Sequence, residues 1–396
     1  MHHVAVNTPA SIAIGIIAWN EEAAIAAMLE SLFAQTLFAE LGARNISCEI
    51  ICIANGCTDR TAGVAREIFE NQQREHSCKH TFAARVVEVE KRGKINAWNL
   101  FVHELSSREA QFLLFADADI VLKEPQTLWN MYRALDENSI AIVSTDTPIK
   151  DIALKPGRTL MERISLAASR MTQSAAAQLT GQLYCIKSSI ARNIYLPADL
   201  AACEDGFIKA LACTYFLTHE VRPKHIVVAP SASHIFEAYV SLGDILNNQK
   251  RQMIGQTIVH LLVDRELKQL SLEQKLNLAE TLREREAADP NWLKLLIGEH
   301  MRRIRHCWQL FPNLLSSRFQ RLKGLRGIQR ITHLPIAFAA LAISLLASHR
   351  AYRALRAGYL DYWPDTQSPK LKTFRPANPA PVSLTKSAIE IHGVKS

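Results

Sequence analysis

The sequence predicts an α/β fold, a mostly parallel sheet with helices on both faces, followed by a helical and basic C-terminal extension. Three observations point there. Four short apolar runs, Ile12–Ala18, Ile50–Ala54, Val86–Val89 and Phe112–Ala116, lack polar alternation, as strands buried on both faces do. Segments with helical apolar spacing separate these runs. After about Ser144 the order changes, and helical patterns dominate as far as about Ile297.

The elements follow in order. Behind the first strand, Asn20 stands where it can cap a helix, with Glu21 and Glu22 well placed against its dipole. Ile25, Met28, Leu29, Leu32 and Phe33 then recur at helical spacing. Behind the second strand, Thr58 or Asp59 opens a helix that gathers Val64, Ala65, Ile68 and Phe69 on one face. The third strand leads into a helix from about Lys94 to Leu105. Further on, an alanine-rich helix is expected over Leu160–Gln178 and a strand near Leu183–Ile186. A helix over Glu204–Thr214 and a short strand at Ile226–Ala229 follow.

With 396 residues, 48% of them hydrophobic, the chain can bury a sizeable core. The net charge of +8 is unevenly spread. Arg302, Arg303, Arg305, Arg318, Arg321, Lys323, Arg326 and Arg330 crowd one stretch that would attract phosphate. The eight cysteines form no C-x-x-C pair and read as buried, inert thiols in a reducing, cytoplasmic setting. The apolar N-terminal run has no basic segment before it and reads as a strand, not a signal peptide.

One apolar block, Leu334–Ala347, is flanked by Arg326, Arg330, Arg350, Arg353 and Arg356. As a helix it is about 21 Å long, short of the roughly 30 Å hydrocarbon core. An interfacial or re-entrant helix, a single span and a buried helix all remain open. The arginines favour a peripheral position at the inner face of a membrane. From Trp363 onward, prolines, lysines and serines predict a disordered tail.

The sharpest chemical feature is Phe112-Leu-Leu-Phe-Ala-Asp117-Ala118-Asp119. Residues two apart on a strand face the same way, so both carboxylates can meet at the sheet's C-terminal edge. Two hard oxygen donors suit Mg²⁺ or Mn²⁺ on a diphosphate; the blander reading is a polar strand end capping the next helix. Ile50-Ile-Cys-Ile-Ala54-Asn55-Gly56-Cys57-Thr58-Asp59 ends a second strand in the same manner. There Gly56 permits a tight turn, and Asn55 and Asp59 could contact a base or ribose. In Lys91-Arg92-Gly93-Lys94, a lysine at a helix start is unfavourable unless an anion is near.

This ordered set resembles the family-2 glycosyltransferases, inverting enzymes of the GT-A fold, over about residues 10–260. Ala18 and Asn20-Glu21-Glu22 match the end of the family's opening strand, and Asn55-Gly56-Cys57-Thr58-Asp59 resembles its nucleoside site. Ala54 stands where an acidic residue is often found. Gly93-Lys94 with Asn99 resembles a second donor segment, and Asp117-Ala118-Asp119 stands where the metal-binding D-x-D belongs. Gly181-Gln182 resembles the strand flooring the acceptor site. Cys203-Glu204-Asp205-Gly206 resembles the Glu-Asp motif, which implies Asp205 as general base and Glu204 as its neighbour in catalysis. His234 sits where some relatives place a histidine near the metal or diphosphate. Gln249-Lys-Arg251-Gln252-Met253 occupies the place of the polymerising relatives' Gln-x-x-Arg-Trp, but the Arg and Trp are Gln252 and Met253. That departure points to transfer of a single sugar, and Arg251 could still reach a phosphate.

The resemblance implies a catalytic region over 1–265, with a nucleotide-sugar half (10–145) and an acceptor half (146–265), before an extension over 266–360 and a tail over 361–396. It implies a nucleotide-sugar donor, a hydroxyl acceptor on a lipid, glycan or small molecule, and a divalent metal held by Asp119, Asp117 and His234. Two rivals stand beside it. A sugar-1-phosphate nucleotidyltransferase would need a Gly-rich basic signature near the first strand, where Ala18-Trp19-Asn20-Glu21 stands. A non-catalytic membrane or nucleic-acid adaptor would be repelled by its own acidic pairs, so no nucleic-acid partner is expected.

Overall fold

A computed structural model of the chain describes residues 10–159, 161–163, 165–166, 179–200, 203–310 and 328–360. At its centre is one sheet of β1 (Ala10–Ala18), β2 (Ser47–Asn55), β3 (Phe82–Val89), β4 (Phe112–Asp117), β5 (Val121–Leu122), β6 (Val143–Lys150), β7 (Leu183–Lys187) and β8 (Ile226–Phe236). The spatial order is β3-β2-β1-β4-β7-β6-β8-β5. The first four strands run parallel, β7 runs antiparallel to both its neighbours, and β6 pairs parallel with β8. The mostly parallel α/β fold is therefore present.

The runs of β1, β2 and β4 lack alternation because both faces are covered, whereas β3, at the sheet edge, exposes Ala83, Arg85 and Glu88 and its run is broken by that glutamate. Ile12, Ile14 and Ile16 pack with the helices Ile25–Phe33, Leu37–Ala43 and Thr127–Asp136. Ala13 and Ile17 face the opposite layer, which includes Ile95 and Trp98 of helix Lys94–Leu100 and Phe207 and Leu211 of helix Glu204–Thr214. Gly15 lies on this second side, where a Cβ would come within 2.8 Å of the Phe101 ring. Beneath β4, Phe115 is stacked between Trp98 and Tyr184, and the indole N–H donates to the Tyr184 hydroxyl at 2.6 Å.

Helices Leu278–Ala288, Trp292–Arg303 and Ile328–Arg356 bury Leu282, Ile297 and Leu355 in the same cluster as the second sheet face. The last helix is 29 residues long, about 43 Å, and extends well beyond the apolar block on both sides. Ser344 on it donates to Gln249 at 3.3 Å, and Ala347 and Ala351 are buried. Its outer face carries Phe338, Leu345 and Leu346, about half exposed, and then exposed Arg350 and Arg353.

Several local expectations need correction. Asn20 does not cap the next helix, which begins only at Ile25; it adopts a positive φ of 53° and turns toward the β2 loop. The helix behind β2 begins at Thr61, and Asp59 accepts from the Thr61 N–H at 3.0 Å from two residues before it. The strand at Ile226 runs on to Phe236, past Pro230 and a left-handed Ser231, and so takes in His234. Helix Lys94–Leu100 continues to Leu105 as a wider π turn. Of the alanine-rich helix expected over Leu160–Gln178, the described residues 161–163 and 165–166 are helical. Its remainder lies outside the described residues, as do 311–327 and the tail from 361.

Candidate active site

The C-terminal edge of the parallel strands gathers most of the expected residues, in two groups. The first is a frame. Asn55, 2% exposed, donates from Nδ2 to the Ala18 carbonyl at 2.7 Å and accepts the Gly93 N–H at 2.9 Å. Its amide thus ties three strand ends together. Asn20 Oδ1 accepts the Thr58 N–H at 2.8 Å, and Asp59 Oδ2 accepts the Glu22 N–H at 3.0 Å. Gly56 holds a φ of 67° and packs against Arg92, where a Cβ would come within 2.8 Å. Asn20, Asn55 and Asp59, the residues expected at a nucleoside, are thus bonded to neighbouring loops. These residues shape the edge, and of the three only Asn55 lines the cavity beside it.

The second group is ionic and centred on Lys94. Its Nζ lies 2.7 and 2.9 Å from the two oxygens of Asp117, 3.1 Å from Glu204 Oε1 and 2.9 Å from the Gly181 carbonyl. This answers the puzzle of a lysine at a helix start, since the anions it needs are its own protein's carboxylates. Burial alone would depress the Lys94 pKa, but Asp117 and Glu204 outweigh it and hold it above the usual value. Burial pushes Asp117 up to about 7, with Lys94 opposing and Asp119 adding to the rise. Gly181 is required by close approach, because a Cβ there would sit 2.9 Å from Glu204 Oε1.

Asp205 follows Glu204 at the start of its helix, after Cys203 in the left-handed region at φ 79°. Burial and the adjacent Glu204 carboxylate raise Asp205 to about 6, while its bond from the Gly206 N–H, Lys94 and Arg251 moderate the rise. Arg251 lies beside Asp205 and Tyr239, and its charge lowers the pKa of both. His234 is fully buried, with Nδ1 2.7 Å from Asp146 and Nε2 3.3 Å from Gln182 Oε1. The backbone of Gln182 accepts the Asp117 N–H at 2.8 Å, and Ala118 donates to the Ile17 carbonyl at 3.2 Å.

A cavity of about 630 Å³ opens beside these groups, lined among others by Glu21, Asn55, Lys94, Asp117, Ala118 and Asp119. Burial, Asp119 and Asp117 push Glu21 up to about 9, and burial also raises Asp119. Among the described residues no three His, Cys, Asp or Glu side chains surround one point as a ready-made metal cage.

Four residues here escaped sequence reading. Asp146 stands in the middle of β6, after Ser144 and Thr145, where no local pattern marks it. Arg92 stacks on the Trp19 ring at 3.4 Å, and both line the cavity. Glu286 lines it too, although it lies in the extension, in helix Leu278–Ala288.

A family model described as Glycosyl transferase family 2 matches residues 13–189. No curated protein matches the chain in sequence. Among solved structures, that of TarS residues 1–349 from S. aureus is 16% identical, with 88% of this chain and 92% of that one covered and a TM-score of 0.43. Glucosyl-3-phosphoglycerate synthase from Mycobacterium tuberculosis, in complex with Mn²⁺, UDP-glucose and phosphoglyceric acid, is also 16% identical. There 64% of this chain and 81% of that one are covered, at a TM-score of 0.41.

Proposed function

Residues 13–189 belong to glycosyl transferase family 2, and from that premise we propose that the enzyme moves a single sugar, with inversion, from a nucleotide-sugar donor to an acceptor hydroxyl activated by Asp205. The observation that carries the proposal is the Lys94 bridge. One ammonium touches Asp117 on the donor side and Glu204 on the acceptor side, so the two half-sites lie within a few ångströms of each other.

Each residue then has a task. Asp205 takes the proton of the acceptor hydroxyl, and its raised pKa makes it a competent base near neutral pH. Glu204 is held by Lys94, which fixes the direction of the helix start that carries Asp205. Trp19 and Arg92 form a flat wall at the cavity, suited to a nucleobase face.

The donor set fits a divalent cation bound together with a diphosphate. Mg²⁺ is commonly held by one or two carboxylates with phosphate oxygens completing its shell, and the crowding of Glu21, Asp117 and Asp119 would be relieved by a cation. Asp119, with Asp117 beside it, would hold the ion, which when bound would supply positive charge against a departing diphosphate. His234, bonded to Asp146 and Gln182, would stand behind the site. For localisation, the outer face of helix Ile328–Arg356 supports a position on the inner membrane surface. There Phe338, Leu345 and Leu346 offer apolar contact and Arg350 and Arg353 offer charge to lipid phosphates. A lipid-linked acceptor would suit that position.

The test is a thermal-shift screen of nucleotide sugars with and without Mn²⁺. One donor is expected to stabilise the protein, and to do so more strongly with metal. No shift with any nucleotide sugar would overturn the proposal, and an equal shift without metal would remove the cation from it.

A further inference from the structure

A second cavity, of about 430 Å³, lies at the seam between the α/β layer and the C-terminal extension. It is lined chiefly by charged groups: Arg108 and Arg192 from the layer, Arg283 from the extension, His103 between them, and Glu104 and Glu280 at the side. Arg283 pairs with Glu280 at 2.6 Å, which leaves the arginines in excess. Arg108 and Arg192 are held by main-chain oxygens, Arg108 on the His103 carbonyl at 2.8 Å and Arg192 on Ser107 at 2.6 Å and on Val102. A carbonyl fixes a guanidinium in place without cancelling its charge. The Arg192 Nε is buried with no hydrogen-bond partner among the described residues. The His103 ring lies 2.9 Å from the Ile194 carbonyl through Nε2, and burial, with Arg283, Arg192 and Arg108, holds its pKa down to about 4.

The seam has a mechanical link to the first cavity. Arg283 and Glu286 are three residues apart on helix Leu278–Ala288, and so are neighbours on one face. Glu286 lines the 630 Å³ cavity and accepts the Ala198 N–H at 3.2 Å. At the other end Asn193 donates to the Leu276 carbonyl at 2.8 Å, which ties the start of this helix to the layer.

We propose that the seam cavity binds a small phosphate-type anion between Arg108, Arg192 and Arg283, and that the bound anion tunes the donor pocket through the helix that carries Glu286. The anion draws the extension's arginine toward the layer's two, which changes how firmly Glu286 is seated. The coupling half rests on the donor-binding reading given above; the binding half does not.

The experiment uses the full chain and inorganic phosphate, with potassium chloride at equal ionic strength as control. The His103 ring resonance, assigned with His103→Gln, is followed by NMR. Phosphate is expected to shift it saturably and to raise its titration point, and Arg108→Gln/Arg283→Gln is expected to abolish both effects. If that double variant fails to fold, Arg283→Gln alone carries the comparison. The same shift with chloride, or an undiminished shift in the variant, overturns the site. For coupling, the dissociation constant of the donor found in the thermal-shift screen is measured with and without saturating phosphate. A change of about fivefold is expected, absent in the variant; no change in the parent overturns the coupling while leaving the NMR result to judge the site.

Discussion

Replacing Lys94 with methionine tests the ionic bridge on which the active-site geometry depends. Lys94 is 12% exposed and faces Asp117 at 13% and Glu204 at 9%, so water screens little of the interaction. Two contributions are lost. The bonds to Glu204 and to the Gly181 carbonyl do not depend on Asp117, and hydrogen bonds involving a charged group are worth roughly 1.5–3 kcal/mol. The contribution of Asp117 does depend on pH. Its pKa is about 7 with the ammonium in place, and without the ammonium it rises further. Below pH 7 Asp117 is protonated in both folded proteins, so its share of the loss vanishes. Above pH 7 the parent ionises it and the variant cannot, and the gap widens by up to about 1.4 kcal/mol per pH unit. Lys94 itself adds no slope in this range, because its folded pKa lies above its ordinary one and its contribution is complete at any pH below that. Unfolding free energies of parent and Lys94→Met, from urea titrations at pH 6 and pH 8.5, are expected to differ by roughly 2 kcal/mol and roughly 4 kcal/mol respectively. A gap that is flat with pH, or that narrows as pH rises, refutes the bridge.

Asp205→Asn is expected to cost about 10²–10⁴-fold in turnover with donor-induced thermal stabilisation unchanged; transfer at the parental rate would reassign the base. In the parent, kcat/KM is expected to fall as pH drops through about 6, because Asp205 must be ionised to accept a proton; a profile flat down to pH 5 contradicts this. Glu21→Gln is expected to stabilise the metal-free protein at pH 8 by roughly 1–3 kcal/mol and not at pH 4.5. The sign follows from a folded pKa of about 9 against 4.5 unfolded, so the cost of Glu21 is absent at low pH and grows as pH rises. Gly15→Ala is expected to destabilise by about 1–3 kcal/mol through the Phe101 ring, and an unchanged melting temperature would show that the ring can move aside.

What the sequence disclosed depends on how far each signal reaches along the chain. The parallel strands β1, β2 and β4 were legible because burial on both faces leaves a continuous apolar run, a purely local record. β6 and the second half of β8 were not, because they pair across an irregular register between Thr145 and Thr147, where β8 contributes Pro230 and a left-handed Ser231. A proline and a positive φ read locally as a strand's end, although here the strand resumes. The acidic residues of the site were legible for the same local reason: each stands at the end or start of an element. Their partners were not, since Lys94 and Glu204 meet only through folding, as do Asp146 and His234.

Pairing is nevertheless what assigns the roles. Read singly, Asp117, Asp119, Glu204 and Asp205 are equivalent carboxylates. In the fold, Lys94 engages Asp117 and Glu204 directly, while Asp205 has its own Gly206 N–H and reaches Lys94 and Arg251 only at longer range. The bridge therefore divides these acids into Asp117 and Glu204, which touch the Lys94 ammonium, and Asp205, which does not. The proposed mechanism needs a base that can both take a proton and release it, and of the two acids at the Glu204 helix start only Asp205 stays clear of the Lys94 bridge.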